Sequence, residues 1–310
     1  MPNTETPTTE TKAPRLAVLG LGGTIAMTAS QDSGAVPGLA AEDLIEALPN
    51  TAAQRVGHVE NVRRLPGAHL ELSDLVELAK RIRTLESEKE ITGVVVVQGT
   101  DTIEETVFAL DILLGGELPV VVTGAMRHAG QVSSDGAANL AGALNTASAP
   151  EARGQGAVVC FNDEIHAAWC VHKSAATNPA AFSSPASGPI GHVIEGRARF
   201  LCRAKRWQPV CEDPSVVEPA RVALLTACLG EGPELIEAVA EGGYQGLVVA
   251  ATGAGHLHHS WVTPLERLSA VMPVVLATRV SCGPVLSKTY GFAGSESDLL
   301  RRGLVSAGFL

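Results

Sequence analysis

Positive charge is scarce in this 310-residue chain: 23 Lys and Arg face 33 Asp and Glu, a formal net charge of −10. A chain of that sign disfavours nucleic acid and anionic membranes as partners. Long apolar runs are missing too. The longest, around Val94–Val97 and Pro119–Val122, are strand-sized, well short of the roughly 20 residues that span a bilayer. The six cysteines, at 160, 170, 202, 211, 228 and 282, include no Cys-x-x-Cys pair. Neither a zinc site nor a disulfide framework is expected from them, and reduced cytoplasmic thiols are the simplest reading. No G-x-S-x-G elbow offers a serine nucleophile. The opening MPNTETPTTETKAP lacks the basic start and apolar core of a secretory signal. Its Thr, Glu and Pro content predicts a disordered tail over residues 1–14.

What is present is ample apolar material, 45% of residues against 18% charged, enough for about two domains at roughly 150 residues each. Arg15–Leu21, Gly93–Val97, Pro119–Thr123 and Gly156–Phe161 are apolar without alternation, the pattern of strands buried on both faces. Between them Leu72, Leu75, Val76, Ala79, Ile82 and Leu85 recur at helical spacing. Strand–helix alternation implies parallel sheets with right-handed crossovers. Lys205–Pro219 holds three prolines and mixed charge without a period, and reads as a linker. Alternation restarts with strands at Val222–Thr226, Gly246–Ala251 and Pro273–Thr278 and helices from Pro233 and Pro264. The expected fold is therefore two α/β domains with mostly parallel sheets. The larger, N-terminal, covers 15–204; a linker covers 205–219; the smaller covers 220–310.

In open α/β sheets ligands bind at the carboxyl ends of strands. Three loops stand there. In GLGGTIA, Gly20 to Ala26, adjacent glycines allow close backbone approach. The third glycine of a dinucleotide fingerprint would fall at Ile25, and no Gly-Lys-Ser/Thr follows for a phosphate loop. That leaves Thr24 as a hydroxyl at a strand end, or as the cap of a tight turn. In QGTDTIEET, Gln98 to Thr106, a capping box of Thr102 and Glu105 starts a helix, placing Thr100 and Asp101 in the loop. A hydroxyl beside a carboxylate suits amine binding plus nucleophile activation; an over-capped helix explains the same residues. VVTGAMR, ending at Arg127, with Ser134–Gly136 beyond, is the third. In NDEIHAAWCVHK, Lys173 is either a surface lysine or a buried base that takes a hydroxyl proton. The HLHH run at 256–259 has no carboxylate or cysteine at ligand spacing and reads as an exposed loop. Met27, Trp169 and Trp207 read as packing residues.

Taken together, GGTIA at 22–26, QGTDTIEET at 98–106, the VVVTGAMR and SSDGAANL runs at 120–140 and NDEIHAA with VHK at 162–173 resemble the bacterial-type L-asparaginases, the asparaginase/glutaminase amidohydrolases, from about Arg15 to Leu304. The resemblance implies Thr24 as nucleophile on the side-chain amide of L-asparagine, with L-glutamine a poorer substrate. It implies Thr100 and Lys173 as a proton relay and Asp101 as holder of the α-ammonium. Gly23, Ala68, His69, Gly99 and Ala125 would line the substrate. It implies no metal and no organic cofactor, and a homotetramer of tight dimers whose sites lie between one subunit's N-domain and its neighbour's C-domain.

Three departures from the family pattern stand out. The mobile loop after the first threonine usually carries a Tyr; this chain has only Tyr244 and Tyr290, none in Gln31–Leu39. The segment that grips the α-carboxylate aligns with Gly67-Ala68-His69, where the usual Ser is absent. The family's final helix over the C-terminal sheet is not seen before Leu310, which predicts exposed apolar surface. The family's Glu from the neighbouring subunit is not assigned to a residue here. Two other readings follow: an amidase of shifted specificity, favoured by Ala68 and His69, or a catalytically weak amino-acid-binding homologue.

Overall fold

A computed structural model describes residues 15–30, 34–37, 41–46, 48 and 50–308. The tail at 1–14 and most of the loop at 31–39 lie outside the described residues, and Met27 is described by its backbone alone. The chain divides into two compact units between Val217 and Glu218.

The first unit is built on one eight-stranded sheet. Five strands run parallel in the order Val56–Asn61, Leu16–Gly20, Gly93–Val97, Val120–Thr123, Ala157–Phe161. The last four of these are buried throughout, because helices cover both faces. Leu19, Val94, Val96 and Val122 point into a core with Leu78, Ile82, Val107 and Leu110 of helices Leu72–Ser87 and Ile103–Leu114. Their alternates Leu16, Val18, Val95, Val97 and Val121 meet Leu44, Leu140 and Leu144 of helices Ala41–Glu46 and Gly136–Ala147. Each such side chain gains roughly 1.5–3 kcal/mol from burial. Within helix Leu72–Ser87 the expected apolar face is present from Leu75 to Leu85, and Leu78 joins it; Leu72, its first residue, is instead exposed.

The sheet then extends antiparallel through Glu164–Ala167, Gly191–Ile194 and Arg197–Phe200, a part that the strand–helix alternation does not announce. Two-residue turns make its two hairpins, Ala157–Phe161 with Glu164–Ala167 and Gly191–Ile194 with Arg197–Phe200. Asn162 and Asp163 have φ of 49° and 62°, and Glu195 and Gly196 have 52° and 69°, the paired positive values that match the twist of hairpin strands. Residues 205–217 lie along this unit: Val210 N–H donates to Ile112 O, and Arg206 Nη1 to Gly116 O.

The second unit carries a parallel sheet in the order Val222–Thr226, Gly246–Ala251, Val274–Thr278, Val305–Ser306. Helices Glu234–Glu241, Val262–Ser269 and Glu296–Arg301 accompany it. Leu247, Val249, Val274 and Leu276 join Ile236, Leu265 and Leu299 in its core, while Val222 and Leu224 on the edge strand are exposed.

Candidate active site

The strand order of the first unit dictates where a ligand can sit. From Leu16–Gly20 the chain goes to a strand on one side, Val56–Asn61, and later returns to the other side at Gly93–Val97. Loops leaving neighbouring strands in opposite directions open a crevice at their carboxyl ends. Gly20, Asn61 and Val97 stand abreast there, with Thr123 beside Val97, so four loops leave from one level.

Backbone packing sets how these loops meet. Leu21 N–H donates to Val97 O at 2.8 Å and Leu65 N–H to Leu21 O at 2.9 Å. Gly23 has φ +88°, and a Cβ on it would stand 2.0 Å from Gly99 N. A Cβ on Gly99 would stand 2.8 Å from Gly67 N. Three glycines, one from each loop, thus touch main chain to main chain, and no side chain fits between them. On this stack Thr24 opens a single 3₁₀ turn, Thr24–Ala26, and is half-buried.

The second loop departs from expectation. Thr100–Thr102 is its own 3₁₀ turn before helix Ile103–Leu114. Thr102 is the residue before the helix but makes no side-chain cap, so the predicted capping box does not form. Its hydroxyl instead donates to Gly67 O at 3.0 Å and receives Gln98 Nε2 at 3.4 Å. The hydroxyl has one proton to give, and the carbonyl of the neighbouring loop takes it. Gln98 is wholly buried; its Nε2 also donates to Gly99 O at 3.3 Å. Ala68 and His69 are carried on the Gly67–His69 turn that Thr102 ties down, and both are exposed.

Lys173 comes from far along the chain to this loop. Its Nζ donates to Thr100 Oγ1 at 3.0 Å and to Asp101 Oδ1 at 2.7 Å. Thr100 is buried, Lys173 is 17% exposed at its side chain and Asp101 64%. A cation, a buried hydroxyl and an open carboxylate are thereby in one hydrogen-bonded line. Strand His172–Lys173 pairs with Phe182–Ser183 and is clamped by Glu104, whose Oε2 accepts Lys173 N–H at 2.6 Å and lies 3.0 Å from His172 Nδ1. Glu104 is a holder of the site that the sequence reading missed: 69 residues separate it from Lys173, and only its place beside Thr100 hinted at a role.

The third loop is held from behind. A Cβ on Gly124 would stand 2.5 Å from Gln98 O, and Ala125 is fully buried. Asp135 accepts the N–H groups of Met126 and Arg127 at 3.0 and 2.9 Å. Asn139 Nδ2 donates to Gly124 O at 3.0 Å. The run beyond Ser134 therefore serves to fix Ala125. Of the predicted residues, Gly23, Gly99, Thr100, Asp101 and Lys173 are joined by contact. Thr24 follows Gly23, Ala68 and His69 follow Gly67, and Ala125 follows Gly124 on the same loops.

The histidines at 256–259 do other work. His258 accepts Ser260 N–H to cap a turn, and His256 Nε2 lies 3.2 Å from Glu296 Oε2, a carboxylate 40 residues away that local spacing does not reveal. Among the described residues no group of three His, Cys, Asp or Glu is arranged to hold a metal ion.

Comparison with known proteins adds the family. The family model "Asparaginase, N-terminal" matches residues 15–206, and "Glutaminase/Asparaginase C-terminal domain" matches 221–310. A probable L-asparaginase of Deinococcus radiodurans is 36% identical over 96% of this chain and 89% of its own length. L-asparaginase 2 of Bacillus subtilis is 32% identical over 93% of this chain and 78% of its own. The crystal structure of a probable cytoplasmic L-asparaginase from Campylobacter jejuni superposes with a TM-score of 0.85 at 31% identity, covering 96% of this chain and 90% of that one. With both family models matched in order along the chain, the two-unit α/β fold shared and the threonine loops at the switch point, this chain belongs to the asparaginase family of amidohydrolases.

Proposed function

We propose that the protein hydrolyses L-asparagine to L-aspartate and ammonia, with L-glutamine a poorer substrate. The observation that carries this is the line Thr100–Lys173–Asp101 beside the Gly23–Gly99 contact that brings the Thr24 loop to it. Thr24 Oγ attacks the side-chain amide carbon, and its proton passes by Thr100 to Lys173 in its neutral form. The C–N bond then breaks, the same relay returns a proton to the leaving nitrogen, and ammonia departs from an acyl ester on Thr24. Water repeats the sequence, releasing aspartate and restoring the threonine. Backbone N–H groups beside Thr24 and Thr100 serve the oxyanion, a contribution of about 3 kcal/mol where such donors are preorganised. Asp101 takes the α-ammonium on its open side. Gly23, Gly99 and Ala125 shape the walls.

Ala68 and His69 favour a second reading. Both are exposed on the turn that Thr102 bonds through Gly67 O, where the family's carboxylate-gripping hydroxyl is replaced, and an amide without a free α-carboxylate is the substrate it predicts. A panel of L-asparagine, L-glutamine and α-blocked amides separates the two. Family membership further supports a homotetramer of tight dimers, which light scattering tests. The six free cysteines and the cytoplasmic description of the Campylobacter protein support a cytoplasmic location. The deciding experiment is ammonia release from L-asparagine by the purified chain with a Thr24→Ala control. Release abolished in the control is expected; steady binding without turnover points to an amino-acid-binding homologue.

A further inference from the structure

We infer that the substrate's α-ammonium does more than bind: it competes with Lys173 for Asp101 and so turns Lys173 from an acid into the base of the relay. The inference rests on the asparaginase reading above. Its starting point is a conflict in the geometry. Lys173 Nζ donates to Thr100 Oγ1 at 3.0 Å while paired with Asp101 Oδ1 at 2.7 Å. An ammonium has three donors and no acceptor, so in this state Lys173 cannot take the threonine proton. The partner that holds it as a cation is Asp101, 2.7 Å away.

That same carboxylate is the open one. Asp101 is 64% exposed and Lys173 17%, so a second cation reaches the carboxylate from solvent while Lys173 stays behind it. Once an α-ammonium docks there, two positive groups share one negative group. A like charge at this range disfavours the charged form, and an opposite charge within about 4–6 Å, which Lys173 must now share, is worth roughly 1–3 pKa units, a 10- to 1000-fold change in the neutral fraction. Of the two, only Lys173 touches a hydroxyl that leads its proton to the reaction. The other charges facing this strand work alike in both states: Glu104 is already engaged by Lys173 N–H and by His172, and Glu105 lies on the same helix turn. The paired strand Phe182–Ser183 brings no ionisable group. The base is thus generated when an α-amino acid amide arrives, and a plain amide or water in the empty site meets an acid.

The test compares L-asparagine with succinamic acid, the same amide lacking the α-amino group, using the intact protein over pH 5–9. The expected result is a kcat for succinamate on the order of 100-fold lower, with its acid limb displaced to higher pH by about 1–2 units. Added methylammonium should raise kcat for succinamate and leave asparagine unchanged. In Asp101→Asn the ratio of the two kcat values should collapse toward one. Equal kcat with only KM raised for succinamate, or coincident acid limbs, overturns the inference while leaving the asparaginase reading intact. Absence of ammonia from both substrates removes that reading and this inference with it.

Discussion

The two larger sheets of this chain differ in what covers them. In the first unit the central strands are buried residue by residue, and successive side chains feed two separate cores. In the second, strand Val222–Thr226 buries Ala223 but exposes Val222, Leu224 and Thr226, and one core serves the whole sheet. The central strands of both are parallel, and parallel strands are stable when both faces are covered. The difference teaches where each unit's rigidity comes from. The first owns the full clamp that holds four loop ends level. The second leaves the apolar side chains of Val222 and Leu224 exposed on its edge strand.

The largest effects expected lie in the first unit. Thr24→Ala and Lys173→Met should each lower ammonia release by on the order of 10³-fold or more, since members of a relay fail as a unit; steady-state kinetics on folded protein checks this. Next comes the contrast between cores. Leu19→Ala, at a position with no exposure, should cost about 2–5 kcal/mol, whereas Leu224→Ala, 68% exposed, should stay within about 0.5 kcal/mol. Denaturant titration compares them. An equal loss at Leu224 would break the comparison by showing that face covered in solution. Gly23→Ala should cost about 2–4 kcal/mol and reduce activity, because its Cβ would meet Gly99 backbone.

The smallest effect sharpens the comparison through two buried aspartates. Both accept a backbone N–H: Asp111 from Ala157 at 3.1 Å, Asp298 from Gly294 at 3.0 Å. Burial pushes the Asp111 carboxyl up, more than the Ala157 N–H and the charge of Arg206 draw it down. Burial also pushes on Asp298, but Gly294 N–H and the bonded Arg302 outweigh it and hold it below the usual carboxylate range. A lowered carboxyl stabilises the fold above its unfolded value and loses that contribution as pH falls through its folded value. A raised one weakens the fold at neutral pH and is relieved as it protonates. Asp298→Asn should therefore cost about 1–3 kcal/mol at pH 7 and flatten the acid limb of stability. Asp111→Asn should change little at pH 7. Thermal melts from pH 3 to 7 read both.

Much of this was legible because burial leaves a mark in composition. The runs at 93–97, 222–226 and 246–251 are strands over the residues expected. Strand Val56–Asn61 escaped because it is an edge strand with polar, part-buried positions, and the antiparallel extension because its strands are short and its turns use Asn-Asp and Glu-Gly rather than obvious breakers. At the site, the motif residues fell on the loops expected. The residues that hold them did not show: Thr102 carries a helix-cap pattern yet bonds across the fold, Glu104 lies outside that pattern, and no local spacing encodes a partner 35 or 69 positions away.

The glycine contact at Gly23, Gly99 and Gly67 has a consequence for redesign. Because main chain rests on main chain there, the separation of the hydroxyl-bearing loops is inherited from the backbone and owes nothing to the side chains that line the mouth. On the function proposed above, exchanging residues such as Ala68 and His69, which are exposed, alters which amide enters while the backbone spacing of the loops is kept. Under that proposal, selectivity and chemistry are separately adjustable parts of this architecture.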